Sequence, residues 1–175
     1  MFRLTQTRAT LGRLPSGDAG TRATLGIMQR LAEAGAKDLT VREAALGILR
    51  ASGIPSHDYR RELEALFRFV RDRIRFTRDV YGVETLQAAG YTLQHQAGDC
   101  DDRAVLLAAL VRSVGIPAAL RFRVIATNPG APSRFTHVYV MARIAGRDVA
   151  LDPTYTTTPA GWQYPGRLRV GELPA

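Results

Sequence analysis

The chain has 175 residues, 46% of them hydrophobic, which is the size and composition of one globular domain. A chain of this length buries roughly 70% of the surface that its unfolded form exposes, so it needs neither a disulfide nor a structural metal to fold. The single cysteine excludes an internal disulfide and a zinc site of the Cys-x-x-Cys type. The lone thiol is therefore either packing material or a reactive group, and its local sequence must decide.

The formal net charge of +8 would suit nucleic acid, an anionic membrane or an acidic polymer as a partner. Of the 24 basic residues only Lys37 is lysine, a bias that a GC-rich genome also produces. No helix-turn-helix, zinc finger or aromatic-basic platform accompanies the charge. We therefore do not expect nucleic acid as a partner. Binding to an acidic polymer, which salt would weaken steeply, stays as a minor alternative.

No targeting or membrane segment is visible. Residues 1–6 lack the apolar run of a signal peptide, and nowhere do 18 apolar residues follow one another. We expect a cytoplasmic protein without membrane contact, or a virion-associated one if the gene belongs to a phage.

Residues 1–20 are rich in Gly, Thr, Arg and Pro, and they predict an extended N-terminal arm that docks on a protein partner or on the domain's own surface. Pro15, Gly17 and Gly20 argue against a helix before Thr21. The rest of the chain, residues 21–175, is predicted to form a single domain.

Two helices are predicted after the arm. The first covers about residues 22–34 and ends at Gly35. The second begins at Thr40, which forms a capping-box pattern with Glu43, and it ends at Gly53.

The central part of the chain predicts two further helices with a connection between them. One opens at Ser56 and carries apolar residues on one face and arginines on the other, which we expect to be solvated. Residues 76–97 show no sustained period and predict an irregular connection, which at this length is more often functional than idle. The other helix runs from about Cys100 to Val114 and is apolar nearly all round, so it should lie at the centre of the core.

Beyond this helix the hydrophobic period changes to two. Residues 120–124 and 135–144 predict two strands, and residues 149–151 enter a third that Pro153 terminates, after a turn at residues 146–148. Helices followed by an antiparallel meander predict an α+β domain.

The only thiol lies in Gly98-Asp99-Cys100-Asp101-Asp102, at the first turn of the apolar helix. Orphan backbone amides and the helix dipole at this position stabilise a thiolate, which is the nucleophilic form of cysteine. A glycine before the helix permits the tight turn that leaves the sulfur exposed. The three neighbouring carboxylates act in the opposite direction, or simply cap the helix, so the thiol needs a cationic partner.

Two residues far along the chain can complete the chemistry. His137 lies in a predicted strand among apolar neighbours, where a polar ring needs a reason. Asp152 closes the next strand, where it can approach the middle of its neighbour. Each alone would be interpreted as structural. With Cys100 they form a Cys–His–Asp series over a helix start and two adjacent strands, which is typical of a nucleophile, its base and an orienting carboxylate.

At these positions the chain resembles the transglutaminase-like superfamily, a branch of the papain-like cysteine enzymes, over about residues 56–155. The resemblance implies an α+β papain-like core and a peptide or protein substrate that carries an amide, with no cofactor. It implies Cys100 as nucleophile, His137 as general base and then acid, and Asp152 as the group that orients the imidazole.

One feature departs from the family pattern and one stays open. Relatives often have a tryptophan in the strand that leads to the aspartate, whereas the one tryptophan here, Trp162, comes later. Gln94 stands six residues before the thiol, as the oxyanion-stabilising glutamine does in papain relatives, but Gln87, Gln96 and the backbone amide of Cys100 compete for that role.

The other histidines predict no metal site. His95 precedes the thiol by five residues and could join Asp99, but the three histidines place no two on one face. His57 stands beside a helix start and is expected to be a surface or capping residue.

The predicted function is cysteine-dependent acyl transfer, or amide or peptide hydrolysis, through a thioester on Cys100. The alternative is a catalytically silent scaffold or a phage or virion assembly component that docks through residues 1–20.

Overall fold

The computed structural model describes residues 12, 14–79, 85–166 and 168–175. In this part of the chain the helices are α1 (Gly17–Ala36), α2 (Leu39–Ser52), α3 (Tyr59–Arg73), α4 (Ala89–His95) and α5 (Cys100–Ser113). The strands are β1 (Arg75–Phe76), β2 (Ala97–Gly98), β3 (Ala119–Ile125), β4 (His137–Ile144), β5 (Arg147–Leu151) and β6 (Val170–Pro174). This order confirms the α+β class. None of the described helices combines the length and the hydrophobicity that crossing a bilayer requires.

Helix α5 lies at the centre of the main core, as its sequence predicts. Residues 104–111 have no exposed surface, because α1, α2, α3, α4 and β4 all pack around them. Its start at Cys100 is where the sequence placed it, and it ends at Ser113, one residue before the predicted Val114.

The larger sheet has the strand order β5-β4-β3-β6, and all its neighbouring strands are antiparallel. The meander of β3, β4 and β5 was predicted. The turn between the last two is shorter than expected, since Ala145 and Gly146 alone take positive φ angles of 48° and 74° and β5 already begins at Arg147. Strand β6 was not predicted, because Gly171 and Pro174 weaken a short edge strand's pattern.

The start of α1 corrects the sequence interpretation. The helix begins at Gly17 rather than near residue 22, and it includes Gly20 and Gly35. A Cβ at Gly20 would lie 2.0 Å from the carbonyl oxygen of Pro15, so only glycine lets the segment before α1 pack this closely against the first turn of the helix. At Gly35 a Cβ would meet Ala89 and Ala109, so here the glycine serves helix packing and does not end α1.

The described residues include only the end of the predicted N-terminal arm. Residues 17–20 belong to α1, which removes them from the predicted arm. Residues 1–11 and 13 lie outside the described residues, so an arm and its docking role stay predictions.

Aspartates, rather than the hydroxyl residues that the sequence suggested, cap the next two helices. Asp38 accepts a hydrogen bond from the Thr40 amide at 2.8 Å and caps α2. Asp58 caps α3, so that helix begins three residues after the predicted Ser56. Asn and Asp are as effective as Ser at this position, and a local sequence does not choose between neighbouring candidates.

The connection between α3 and α5 is more regular than predicted. It contains α4 and the parallel pair β1–β2, whose register joins Phe76 to Gly98. The Thr77 amide donates to the Gly98 carbonyl at 3.1 Å. This pairing ties Gly98, two residues before α5, to the segment that follows α3. Residues 80–84 lie outside the described residues.

Gly35→Ala tests the close approach of α1 to α4 and α5. The added Cβ would lie 2.7 Å from the Cβ of Ala89 and 2.9 Å from that of Ala109, so we expect a loss of about 1–3 kcal/mol in the free energy of unfolding. The matched control is Gly47→Ala in α2, where a Cβ meets nothing within 4 Å and higher helix propensity should stabilise by about 0.5–1 kcal/mol. Urea unfolding measures both variants. Equal effects of the two substitutions would contradict the packing described here.

Candidate active site

The thiol of Cys100 is held at the first residue of α5 by a cap made of carboxylates. The Asp99 Oδ1 atom accepts from the amides of Asp101 and Asp102 at 3.0 and 3.2 Å, and the Asp102 carboxylate accepts from the Asp99 amide at 3.3 Å. Gly98 has no positive φ angle, yet a Cβ there would lie 2.6 Å from the Cβ of Asp102. Glycine is therefore required at this position because the backbone packs closely against Asp102, and not because the backbone adopts a left-handed conformation.

His137 and Asp152 meet through the pairing of β4 and β5. His137 is the first residue of β4, and Asp152 follows the last residue of β5. The Nε2 atom of His137 lies 2.7 Å from Oδ2 of Asp152, and the Thr154 amide donates to Oδ1 at 3.0 Å. The carboxylate therefore fixes the ring with Nε2 protonated, so that Nδ1 is the nitrogen free to exchange a proton.

The sulfur and the imidazole face the same space. Cys100 is half-buried, and together with His137 it lines two cavities, of about 1000 Å³ and about 350 Å³. The larger lies between the start of α1, the start of α5 and the β3–β4 connection. The smaller is bounded by Phe76 and Tyr155, among others. A substrate can therefore reach the thiol and the ring together.

Burial and the neighbouring carboxylates together favour the protonated form of the Cys100 thiol. Burial raises the pKa of the Cys100 thiol above its ordinary range, and the charges of Asp101 and Asp99 raise it further, while the Val138 amide acts in the opposite direction. The thiol itself donates to Oδ1 of Asp101 at 3.4 Å. The position of Cys100 at a helix start predicted a lowered thiol pKa, whereas the net shift in this environment is upward, so the resting thiol is protonated.

Asp152 stays ionised although it is almost completely buried. Burial acts to raise its pKa, but hydrogen bonds from His137 and from the Thr154 amide outweigh burial and hold it below the ordinary value. An ionised carboxylate at this position stabilises an imidazolium whenever His137 accepts a proton.

Three of the predicted oxyanion candidates lie away from the cavities. Gln94 and Gln96 are exposed, and the side-chain oxygen of Gln87 accepts from Thr92 at 3.2 Å. None of these glutamines is among the described residues that line either cavity. The Cys100 amide, the fourth candidate, lies in the first turn of α5, where a backbone N–H has no partner within the helix.

Among the described residues, no histidine joins the acidic group around Cys100 as a potential metal ligand. His95 is exposed and stacks on Tyr91 with ring centroids 3.9 Å apart. Asp99, Cys100 and Asp101 place one ligand atom each within 4.8 Å of one another. Helix capping and the thiol hydrogen bond explain this group without an ion, and we assign no metal to it.

An aromatic cluster beside His137 was missed by sequence reasoning. The ring of Tyr164 lies 5.4 Å from that of His137, and Trp162 packs edge-on against Tyr164 at 4.7 Å. Tyr155 contacts both Trp162 and Tyr164. Trp162 thus lies close to His137 through Tyr164 and Tyr155, although it comes after β5 in the chain. No local sequence pattern predicts this cluster, because it forms only when the segment after β5 folds back against the sheet.

The comparisons with known proteins bear on the family and the fold of the chain. A model of the transglutaminase-like superfamily matches residues 50–162. In structure the chain is similar to a candidate cysteine protease from Cytophaga hutchinsonii, with a TM-score of 0.50 and 17% identity over 77% of this chain and 50% of that one. It is also similar to a candidate protease from Parabacteroides distasonis, with a TM-score of 0.55 and 13% identity over 79% of this chain and 26% of that one.

These solved proteins are longer than the present chain, which spans half of the first and about a quarter of the second. At such identities the likeness is one of fold. Among curated proteins, none matches the sequence.

The Asp99 carboxyl makes stability depend on pH. Burial, reinforced by the charge of Asp102, raises its pKa from the ordinary value of 3.8 to about 7. The folded chain therefore binds a proton that the unfolded chain releases, and stability falls as the pH rises from about 4 to about 7. Asp99→Asn keeps a capping oxygen without the charge. We expect this variant to melt at a higher temperature than the wild type near pH 8 and at a similar one near pH 4.

Asp148→Asn is the control, measured by thermal unfolding over the same pH range. Arg143 and Arg121 hold the pKa of this exposed carboxyl below its ordinary value, so its neutralisation should not stabilise the fold above neutrality. A gain shared by both variants would trace to net charge, and would contradict the cause given for Asp99.

Proposed function

Because the chain belongs to the transglutaminase-like superfamily, we propose that it is a cysteine-dependent enzyme that transfers an acyl group from an amide, to water or to a second amine. In this proposal Cys100 is the nucleophile, His137 the general base and then acid, and Asp152 the orienting carboxylate. The substrate is a peptide or protein that carries a carboxamide or peptide bond.

One observation carries the proposal. His137 is bound through Nε2 to a buried, ionised carboxylate at 2.7 Å, and its ring borders the same two cavities as the only thiol of the chain. A histidine that only packs in a strand would not require an ionised partner that is almost completely buried. Burying a charge costs free energy unless the charge is paired and hydrogen-bonded.

The chemistry follows from the protonation states. His137 Nδ1 accepts the thiol proton as the sulfur of Cys100 bonds to the substrate carbonyl carbon, and the carbonyl electron pair moves to oxygen. When that pair returns, the carbon–nitrogen bond breaks and the imidazolium gives its proton to the leaving amine. Water or an amine then attacks the thioester, loses a proton to Nδ1 and releases the sulfur, which recovers that proton.

The resting thiol is neutral, so the base must act during attack. The raised pKa of Cys100 means that few molecules hold a thiolate in advance. The imidazolium that forms is stabilised by Asp152, and because both side chains are almost completely buried, their opposite charges attract more strongly than in water. The oxyanion develops next to the start of α5, and the Cys100 amide is the donor that we propose for it.

Cys100→Ala tests the nucleophile. We expect it to abolish turnover with an unchanged far-ultraviolet circular dichroism spectrum, because a half-buried thiol contributes little to the core. Casein with dansylcadaverine serves as the probe for acyl transfer. Ammonia is released when a carboxamide is transamidated or hydrolysed, whereas new amino groups report hydrolysis of a peptide bond. Incorporated fluorescence would identify transamidation, and amine release without fluorescence would identify hydrolysis. Activity retained without the sulfur would end the proposal.

His137→Ala tests the base without any assumed substrate. Iodoacetamide alkylation of Cys100, followed by intact-protein mass spectrometry between about pH 5 and pH 9, reports how readily the thiol loses its proton. We expect the wild-type rate near neutral pH to exceed that of the variant by at least about tenfold, one pKa unit, because only the ring accepts that proton. Identical profiles would contradict the assignment.

Asp152→Asn keeps the shape of the orienting side chain and removes its charge. We expect turnover to fall by a factor of about 10² or more, because the ring loses its preferred tautomer and the imidazolium loses its partner. Asp148→Asn, on β5 and away from the cavities, is the matched control and should retain full activity. Equal losses in the two variants would assign Asp152 a structural role.

A further inference from the structure

A buried arginine lies one helical turn below the thiol. Arg103 is on α5, three residues after Cys100, and is only 1% exposed, which makes it the largest of the fully buried side chains in the described part of the chain. Arginine is almost never fully buried unless it is paired. Residues three apart share a helix face, so the guanidinium lies on the side of α5 that leads to the thiol.

The guanidinium of Arg103 forms hydrogen bonds with two separate segments of the chain. Its Nη2 atom donates to the carbonyls of Val70 and Arg71 at 3.1 and 2.8 Å, at the end of α3. Its Nη1 atom donates to the Thr154 carbonyl at 3.2 Å. The amide of the same Thr154 donates to Oδ1 of Asp152. Arg103 and Asp152 thus bind the same residue, Thr154, one through its carbonyl and the other through its amide.

The charge of Arg103 has no carboxylate in ion-pair contact among the described residues. All its hydrogen bonds go to carbonyls, and its buried Nε atom has no partner. The charged groups that face it from the packed elements are Asp152 after β5, Asp72 on α3 and Cys100 on its own helix. A buried cation of this kind is costly, so a compensating interaction at longer range is expected.

The Asp152 carboxylate and the thiol have their own neighbours, which bear on any change with pH. His137 and Thr154 donate to the carboxylate, and the hydroxyls of Tyr139 and Tyr164 lie in its field. The acidic groups that act on the thiol are Asp101 and Asp99, both on α5 or its cap. Among these described groups, only Arg103 supplies a permanent positive charge.

We propose that Arg103 is a positioning residue for the catalytic pair. Its hydrogen bond to the Thr154 carbonyl fixes the loop that aims the Asp152 carboxylate at His137. Its buried charge acts on the same carboxylate and adds to the hydrogen bonds from His137 and Thr154 that favour the ionised form. This inference rests on the proposed thiol–imidazole chemistry. It explains why an arginine that touches no substrate cavity is buried next to the site.

Three variants separate charge from hydrogen bonding. Arg103→Gln keeps an amide donor and loses the charge, whereas Arg103→Lys keeps the charge with fewer donors. Arg71→Gln is the matched control, since Arg71 also ties α3 to the segment after Asp152, through the Thr158 carbonyl at 3.0 Å, but pairs with Asp72. The readout is the pH midpoint of Cys100 alkylation by iodoacetamide, with thermal unfolding to establish that each variant is folded.

We expect the Gln variant at Arg103 to move the alkylation midpoint upward by about one pH unit, so that alkylation near pH 6 slows about tenfold. The reason is that Asp152 takes up a proton more readily and then no longer supports the imidazolium. Lysine at this position should restore the wild-type midpoint, and the Arg71 variant should never lose it. A folded Gln variant with the wild-type midpoint, or an equal shift in the Arg71 variant, would overturn the inference.

If the Gln variant does not fold, the Lys variant decides: a wild-type midpoint supports the role of the charge, and an upward shift of about one unit overturns it. His137→Ala distinguishes a failure of the proposed function from a failure of the role proposed for Arg103. A profile that does not respond to loss of the ring refutes the proposed function together with this inference. A profile that responds to the ring but not to Arg103 refutes this inference alone.

Discussion

The complete burial of α5 is the constraint from which the rest of the architecture follows. Residues 104–111 expose no surface, so four helices and the sheet must enclose them on all sides. A close-packed helix cannot slide or rotate by small steps, because every displacement opens voids or creates overlaps. The thiol at its first residue is therefore held at one position relative to the sheet that carries His137. The capping box and the β1–β2 pair secure the backbone at the same end.

The electrostatics of the site are divided between two groups of charges. Burial and the carboxylates at the start of α5 raise the pKa of the thiol, and the ionised Asp152 lies where it can stabilise a protonated His137. A resting thiol that is neutral is less exposed to oxidation and to stray electrophiles than a permanent thiolate, since reactivity follows the thiolate fraction. In the proposed mechanism, the thiol becomes reactive only when the His137 ring takes its proton during attack on the substrate. The role that we propose for Arg103 adds its buried positive charge to the second of these groups.

The segment after β5 completes both the sheet and the site. It brings Tyr155, Trp162 and Tyr164 beside the His137 ring and then returns to form β6 on the far side of β3. Aromatic rings at this position limit the access of water to the hydrogen bond between His137 and Asp152, which strengthens it. The similarity in fold to longer proteins at 13–17% identity indicates that this core accepts very different sequences around one arrangement.

The sequence by itself determined the α+β class, the central helix and its start at Cys100, and the Cys–His–Asp order, because each depends on a local period or on a short run of residue types. Tertiary structure decided the rest. It placed Gln94 outside the described cavity linings, put the aromatic cluster against His137 and raised the pKa of the thiol that a helix start would lower. Those outcomes depend on which distant groups meet and on how much water they lose when they do, and no window of neighbouring residues contains either quantity.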